Sequence, residues 1–541
     1  MSEKQRNSFI VQGGILALAG ILTKIIGFVY RIPMANLLGN EGNGIYSVAY
    51  GIYNIALTLS TMGLPLAVSK TVSARLAKGE HKNSTRVMRN AFILALILGA
   101  AAACALFFGA HALEAFYARP GLARPLRVLA PVAFIFALLG VFRGYSQGNG
   151  TTVPTALSQV VDQCFNAVVS VAAAYLLMTS FASDPEVASY GAMGGTVGTL
   201  AGGLASLIYL LINFIRRLPS IRSRDRLDES DNAETNRYVT KVLILTILPV
   251  ILSQTIYQIG YTIDDFIFGN FMASSGTASS VTASLQGVFN TQYNQLVNLP
   301  VAISTAMAIS LMPSIVSAHV RREKAEVRRQ ITATLKINMA FVLPCVVGLA
   351  VLADPIMTVL FPALGEYHDT AAALLRWGSA AAAFYALSTL TTSMLQGTNH
   401  MRVPVYHSAI SLTIHVVLIV ILLRAGLGVW ALLIGNVTFP LVVSLLNCRS
   451  VTRNLKYRWD LFPTFITPLI CSLLMGLFCH WCYVLTLALS HHHIVALCAA
   501  IILSMLVYIL VLLKSHCFTK REILALPMGG RILRLAIKLH L

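Results

Sequence analysis

From end to end the chain repeats one feature: runs of about 20 or more mostly apolar residues, each divided from the next by a short polar or basic stretch. A hydrocarbon core ~30 Å thick takes about 20 such residues to cross as a helix. Lipid offers no partner for backbone N–H and C=O groups, so only structures that satisfy them internally can span it. The runs lie near residues 9–38, 44–69, 90–112, 125–146, 154–180, 189–215, 242–269, 281–312, 331–361, 370–396, 404–424, 428–447, 462–488 and 493–514. They predict an all-α polytopic membrane protein of about 14 transmembrane helices. Composition excludes a soluble fold: 56% of residues are apolar and 11% charged, and mean hydropathy is +0.73, where a soluble domain carries roughly 25% charged residues. The first run, Phe9 to Leu38, is too long for a signal peptide and lacks a small-residue cleavage site, so it reads as the first span.

The net charge of +19 invites a nucleic-acid partner, but its distribution argues against one. With the N-terminus inside, the segments on the inner side hold 33 of the 40 Lys and Arg residues. The outer loops hold five: Arg119, Arg124, Arg127, Arg376 and Arg424. This alternation is the positive-inside pattern of a multi-pass protein with both termini cytoplasmic, beside anionic membrane lipids. Trp377, Trp430, Trp459 and Trp481 fall near expected helix ends, where an interfacial belt sits. The tail from Lys520 to Leu541 alternates apolar residues with Arg531, Arg534 and Lys538, as a surface-lying amphipathic helix would.

No enzyme constellation is legible. The chain has no phosphate-binding glycine loop, no His-Glu-x-x-His and no Gly-x-Ser-x-Gly elbow. The nine cysteines are scattered, mostly inside apolar runs (Cys104, Cys164, Cys345, Cys471, Cys498), which argues against a disulfide framework. Cys479-His-Trp-Cys482 lies within a span and reads as packed small residues rather than a metal or redox pair, and His491-His492-His493 reads as a polar loop. No metal, cofactor or nucleotide is implied. Energy for transport would then come from the membrane potential or from Na+ or H+ as a coupling ion.

Two patterns recur in the same order. Leu64-Pro65-Leu66-Ala67-Val68-Ser69 returns as Leu299-Pro300-Val301-Ala302-Ile303-Ser304, and Gln147-Gly148 with Pro154 returns as Gln396-Gly397 with Pro404. Their similar offsets indicate a duplication of six spans plus six, the architecture of transporters that rock two lobes about a central site. The expected division is an N-lobe over 1–216, a cytoplasmic linker over 217–241, a C-lobe over 242–448, two additional helices over 449–514 and a basic tail over 515–541.

An ionisable group at mid-membrane costs roughly 2.5–3.5 kcal/mol on insertion scales, so it faces a cavity or a partner. Lys24 and Arg31 stand seven residues apart in the first span, ~10 Å along a helix and on one side of it. Two cations on one face suit a water-filled cavity that attracts anions. The alternative is that Lys24 snorkels to the headgroups and Arg31 pairs with an acid on another helix. Asp162, Asp264 and Asp265 are the candidate partners, either as a coupling-ion site or breakable ion pair, or as a static salt bridge.

These residues resemble a known family. Thr23-Lys-Ile-Ile-Gly-Phe-Val-Tyr-Arg31-Ile-Pro-Met-Ala-Asn-Leu-Leu-Gly39, Gly44-Ile-Tyr46 and Gly63-Leu-Pro65 look like the opening of the SpoVB/YtgP group. So does Arg143-Gly-Tyr-Ser-Gln-Gly-Asn-Gly-Thr-Thr-Val-Pro-Thr-Ala-Leu-Ser-Gln159-Val-Val-Asp162-Gln163. The group is the polysaccharide-flippase branch of the MOP (multidrug, oligosaccharidyl-lipid, polysaccharide) exporters and includes MurJ-type lipid II flippases. The resemblance runs over essentially the whole chain. It implies two lobes, a central cavity, alternating access and a lipid-linked anionic glycan as substrate: undecaprenyl diphosphate bearing a peptidoglycan precursor. Lys24, Arg31 and Arg143 would then be cavity cations that hold the diphosphate, and cell-wall synthesis proteins would be partners. Proteobacterial members carry an Arg-Asp pair after the Gly-Phe of the first span, where this chain has Gly27-Phe28-Val29-Tyr30-Arg31 without an acid. Their second-half cation also has no match, since Asp264 and Asp265 stand in that neighbourhood. A MATE-like cation or drug antiporter and a non-transporting scaffold for cell-wall or spore assembly are the alternatives. Antiporters of this superfamily tend to carry acids in the first-half cavity, where Lys24 and Arg31 stand here.

Overall fold

The computed structural model describes residues 3–61, 63–228, 233–515, 517, 518 and 530. All regular structure among them is helical: α1 (Glu3–Thr61), α2 (Leu64–Leu76), α3 (His81–Phe116), α4 (Ala123–Gly148), α5 (Val153–Ser180), α6 (Val187–Arg226), α7 (Asn236–Ser274), α8 (Ser279–Gly287), α9 (Asn294–Val320), α10 (Lys324–Val351), α11 (Ala353–Leu360), α12 (His368–Gly378), α13 (Ala380–Gly397), α14 (Arg402–Arg424), α15 (Val429–Leu455), α16 (Thr467–Ser490) and α17 (His493–Lys514). A π-helical turn, Val288–Tyr293, carries α8 into α9. Ten candidate spans among the described residues are long and apolar enough to cross a membrane. One of these, Leu18–Leu76, holds most of the first expected run and all of the second, and α1 is broken between them at Gly39, whose φ of 65° a glycine tolerates. Every one of the expected runs coincides with helical structure. The tail expected from Lys520 onward lies, but for Gly530, outside the described residues.

The duplication is written into the turns. After Gln147 the chain leaves α4 with Gly150 at φ 80°, and after Gln396 it leaves α13 with Asn399 at φ 65°, the same three-residue offset. Thr151 N–H donates to the Ser146 carbonyl and His400 N–H to the Leu395 carbonyl in matching positions. The α2–α3 turn (Gly79, φ 80°) and the α9–α10 turn (Arg322, φ 61°) match likewise. Glu80 N–H reaches the Arg75 carbonyl in one and Glu323 N–H the Ala318 carbonyl in the other.

The chain divides into two compact units, Met1–Gly287 and Val288–Leu541. In the first, α5 and α6 meet along a stripe of small residues, Gly191, Gly194, Gly198 and Gly202, and Ser170 Oγ donates to the Gly195 carbonyl at 2.8 Å. A Cβ on Gly202 would stand 2.6 Å from Asp162 Oδ1, so only glycine lets α6 lie there. The segment expected as a loop from Arg216 differs: α6 continues to Arg226 and α7 starts at Asn236. The short connection is tied to the α2–α3 turn. Arg75 pairs with Glu234 at 3.0 Å, Lys82 Nζ donates to the Asp228 carbonyl at 2.7 Å, and Arg86 donates to the Glu234 carbonyl.

In the second unit Tyr293 packs its ring against Gly378. Its hydroxyl lies 3.1 Å from both the Gly378 carbonyl and Asn436 Oδ1. Helices α16 and α17, which follow the duplication, dock on α10 through Val347, Cys471, Met475 and Tyr508. The Tyr508 hydroxyl donates to the Ala340 carbonyl at 2.6 Å.

Gly202→Ala is expected to destabilise the protein by about 1–3 kcal/mol, the usual cost of overpacking, and to lower its melting temperature in detergent. Gly348→Ala, where a Cβ meets nothing within 4 Å, is expected to be neutral or stabilising by about 0.5–1 kcal/mol. Equal melting temperatures for the two variants would refute the close-approach account.

Candidate functional site

The first half of α1 has three distinct sides. Leu18, Ile21, Leu22, Ile25 and Val29 are exposed and share one face, the side that lipid would cover. Lys24 and Arg31 share another, turned by about 60° or more from that stripe at ~100° per residue. On a third, Gly27 lies against α5, where a Cβ would meet Gln163 Oε1 at 3.4 Å. Lys24 is exposed, while Arg31, two turns on, is half-buried. The neighbours of the Arg31 guanidinium are Tyr30 and, from the second half of α1, Tyr46 and Tyr50. Its Nε is buried without a hydrogen-bond partner.

Arg143, near the end of α4, is half-buried and ties three helices together. Its Nε donates to Ser158 Oγ of α5 at 3.0 Å and its Nη2 to Ser206 Oγ of α6 at 3.2 Å. Asp162 is 6% exposed, and Arg143 is its cationic neighbour. Asp162 in turn neighbours Tyr50 and Tyr53. Arg31, Tyr50, Asp162 and Arg143 therefore form one polar seam between α1, α4, α5 and α6. Two buried polar atoms of the seam make no hydrogen bond: Arg31 Nε and Asp162 Oδ1. An unsatisfied buried polar group costs about 1–3 kcal/mol, so such a concentration marks a place built for something other than packing.

Asp264 and Asp265 belong to a different arrangement. Asp265 is buried and accepts from Gln286 Nε2 of α8, at 2.9 Å on its carbonyl and 3.4 Å on Oδ1. Gln286 Oε1 in turn accepts from Arg119 Nη2, and Arg119 Nη1 donates to the Ser279 carbonyl at 3.0 Å. Asp264, half-buried, engages neighbours of its own. Arg119 reads in the sequence as an outer-loop cation, yet it is 1% exposed. Burial lowers its pKa to about 10, a pull that the Asp265 and Glu41 carboxylates partly offset. No local pattern marks this residue, because its partners lie 160 and 167 positions away. Beside it α8 touches α1 backbone to backbone: a Cβ on Gly44 would stand 2.6 Å from the Ala283 carbonyl carbon, and one on Gly287 2.8 Å from Gly44 N.

Residues 11–319 match the family model described as polysaccharide biosynthesis protein. Stage V sporulation protein B of Bacillus subtilis (strain 168) is 25% identical over 98% of this chain and 99% of its own length. Lipid II flippase MurJ of the same organism is 25% identical over 76% of each chain. Among solved structures, lipid II flippase MurJ in an inward closed conformation superposes with a TM-score of 0.66 at 14% identity, covering 92% of this chain and 97% of that one. An inward-facing multidrug resistance MATE family transporter of the MOP superfamily superposes with a TM-score of 0.63 at 17% identity, over 80% of this chain and 95% of that one. The chain shares the fold of these two proteins, a multi-pass helical membrane architecture. With more than half its length matched by one family model, the chain is a member of the polysaccharide biosynthesis protein family.

Proposed function

We propose that the protein is a flippase for an undecaprenyl-diphosphate-linked peptidoglycan precursor (lipid II) or a related lipid-linked oligosaccharide, moved from the inner to the outer leaflet by alternating access. The observation that carries this reading is Arg31: a half-buried guanidinium with an unsatisfied buried Nε, on the same helix face as Lys24, in a chain whose relatives include a lipid II flippase. A diphosphate supplies the acceptors such a site lacks, and guanidinium suits phosphate oxygens in fixed geometry. Lys24, nearer the N-terminus and exposed, meets the headgroup on entry. The two lobes of the duplication, 1–216 and 242–448, supply the moving parts, with both termini cytoplasmic in a bacterial membrane. Helices α16 and α17, outside the repeat, offer the undecaprenyl chain an apolar surface.

Release to the far leaflet requires the α7–α8 hairpin to leave α1, so the chain Arg119–Gln286–Asp265 acts as the latch of the outer gate. Asp162 and Arg143, neighbouring opposite charges without a direct salt bridge, adjust when the seam gains or loses an anion, with Na+ or H+ as the coupling ion at Asp162. Membrane potential contributes as well, at about 2.3 kcal/mol per elementary charge per 100 mV.

The MATE likeness favours one second reading, a cation or drug antiporter on the same fold. Overexpression would then confer drug resistance and leave wall precursors unchanged. A scaffold role in spore assembly, in keeping with the sporulation protein among its relatives, would survive loss of every cation in the seam.

Arg31→Ala is expected to abolish rescue of a cell depleted of its own lipid II flippase, although the protein reaches the membrane. Arg31→Lys is expected to keep partial rescue. The loss of one charged hydrogen bond, about 1.5–3 kcal/mol, corresponds to roughly 10–100-fold weaker binding. Full growth of the alanine strain, with lipid II absent from the inner leaflet, would remove the anion-cavity model. For these two neighbouring charges, Asp162→Ala removes the acid beside Arg143 and is expected to cost about 0.5–3 kcal/mol of stability. In the double variant with Arg143→Met, about 0.5–3 kcal/mol of that loss should return as coupling energy. Strictly additive melting data would show that the two charges do not interact.

A further inference from the structure

The 40 residues of α6 extend ~60 Å at 1.5 Å per residue, about twice a hydrocarbon core. Its last turns therefore stand in the interface, on the side that the positive-inside pattern makes cytoplasmic. Asn213, Arg217, Ser220 and Arg224 recur there at i, i+4, i+7 and i+11, a single stripe. Facing them is the end of α4 with Tyr145, Ser146 and Asn149, and between the two lies a cleft of about 280 Å³. Its floor is aromatic: Phe214 packs edge-on to Phe142 and Tyr145, with ring centroids 5.5 and 6.0 Å apart.

Arg217 and Arg224 line this cleft exposed, and neither makes a hydrogen bond or ion pair among the described residues. The nearby acids among the described residues are engaged elsewhere. Glu234 holds Arg75, and Asp228 accepts from the Lys82 backbone N–H at 2.6 Å. Asp225, on α6 itself, turns to Thr85 of α3 at 3.1 Å. Two free guanidinium groups above an apolar floor, flanked by amides and hydroxyls, match a phosphodiester attached to hydrocarbon rather than a soluble acid. Basic clefts of this kind between helices bind anionic headgroups.

We propose that the cleft between α4 and α6 is a binding site for the phosphate of an anionic membrane phospholipid of the inner leaflet, separate from the seam around Arg31. Arg217 and Arg224 hold the phosphate, Asn213 and Ser220 meet the polar headgroup, and the ring of Phe214 supports the first methylenes. The site rests on the cytoplasmic orientation of this end but not on the identity of the transported substrate.

The test uses full-length protein in nanodiscs of phosphatidylcholine with a minor fraction of phosphatidylglycerol, and reads the phosphatidylglycerol retained on extraction by lipid mass spectrometry. Wild type is expected to enrich phosphatidylglycerol, and R217Q/R224Q to lose about tenfold or more of that enrichment. R217K/R224K should keep most of it, which separates loss of charge from loss of fold. R222Q/R226Q removes the same charge from the opposite face of α6 and should leave enrichment within about twofold of wild type. Equal losses in the two glutamine pairs would mean diffuse attraction and overturn the site. Displacement of the lipid by millimolar inorganic phosphate would assign the cleft to a soluble anion and overturn the lipid as its occupant.

Discussion

Hydrocarbon donates and accepts no hydrogen bonds, and nearly every feature of this chain follows from that constraint. The backbone must close its own hydrogen bonds, so the described residues fold into helices. With no water to squeeze out between helices, they associate by close contact, and the closest contacts need residues without side chains. The glycine stripe of α6 meets that need, bringing the backbone of α5 near enough for Ser170 to reach the Gly195 carbonyl. Gly44 and Gly287 do the same for α1 and α8.

The same constraint decides where charge resides. An arginine with an acid beside it, or with hydroxyls around it, is tolerated where a lone one is expelled. Arg143 satisfies this with Ser158, Ser206 and the neighbouring Asp162. Arg119 satisfies it with a carbonyl, an amide and a carboxylate beyond the amide. Arg31 has tyrosines rather than an acid for neighbours, and its buried Nε is unpaired, as that of Arg119 also is. The missing acid, not the unpaired Nε, is what separates Arg31 from the two cations that hold helices together.

How much of this was legible in the sequence depends on the range of each signal. Runs of apolar residues are local, and the helices stand where they predict. The duplicated Gln-Gly turns are local too, and the structure repeats them down to a left-handed residue three positions after each glutamine. The face shared by Lys24 and Arg31 follows from helical period alone. Their unequal burial does not, because Tyr46 and Tyr50 come back to Arg31 only after the break at Gly39. The stretch after Arg216 reads as a charged loop, yet its first part is helix, and two of its acids, Glu234 and Asp228, are spent on Arg75 and Lys82, 159 and 146 positions earlier. Pairings at that separation leave no trace in a local pattern. Arg119 is missed for the same reason.

The sign of charge in the seam separates the two transport readings that share this fold. Arg31 and Arg143 bring two positive charges and Asp162 one negative, leaving a formal excess of one before Lys24 is counted. At an effective dielectric near 20 a unit charge 4 Å away is worth about 4 kcal/mol, so this excess favours an anion and opposes a cationic drug by a comparable amount. A cation antiporter on the same backbone would need the opposite balance, with acids outnumbering bases on α1 and α5. Arg143, bonded to two serines beside the only acid of the seam, already offsets Asp162. Arg31 is then the charge left to act on a substrate, and the function proposed here stands or falls with its side chain.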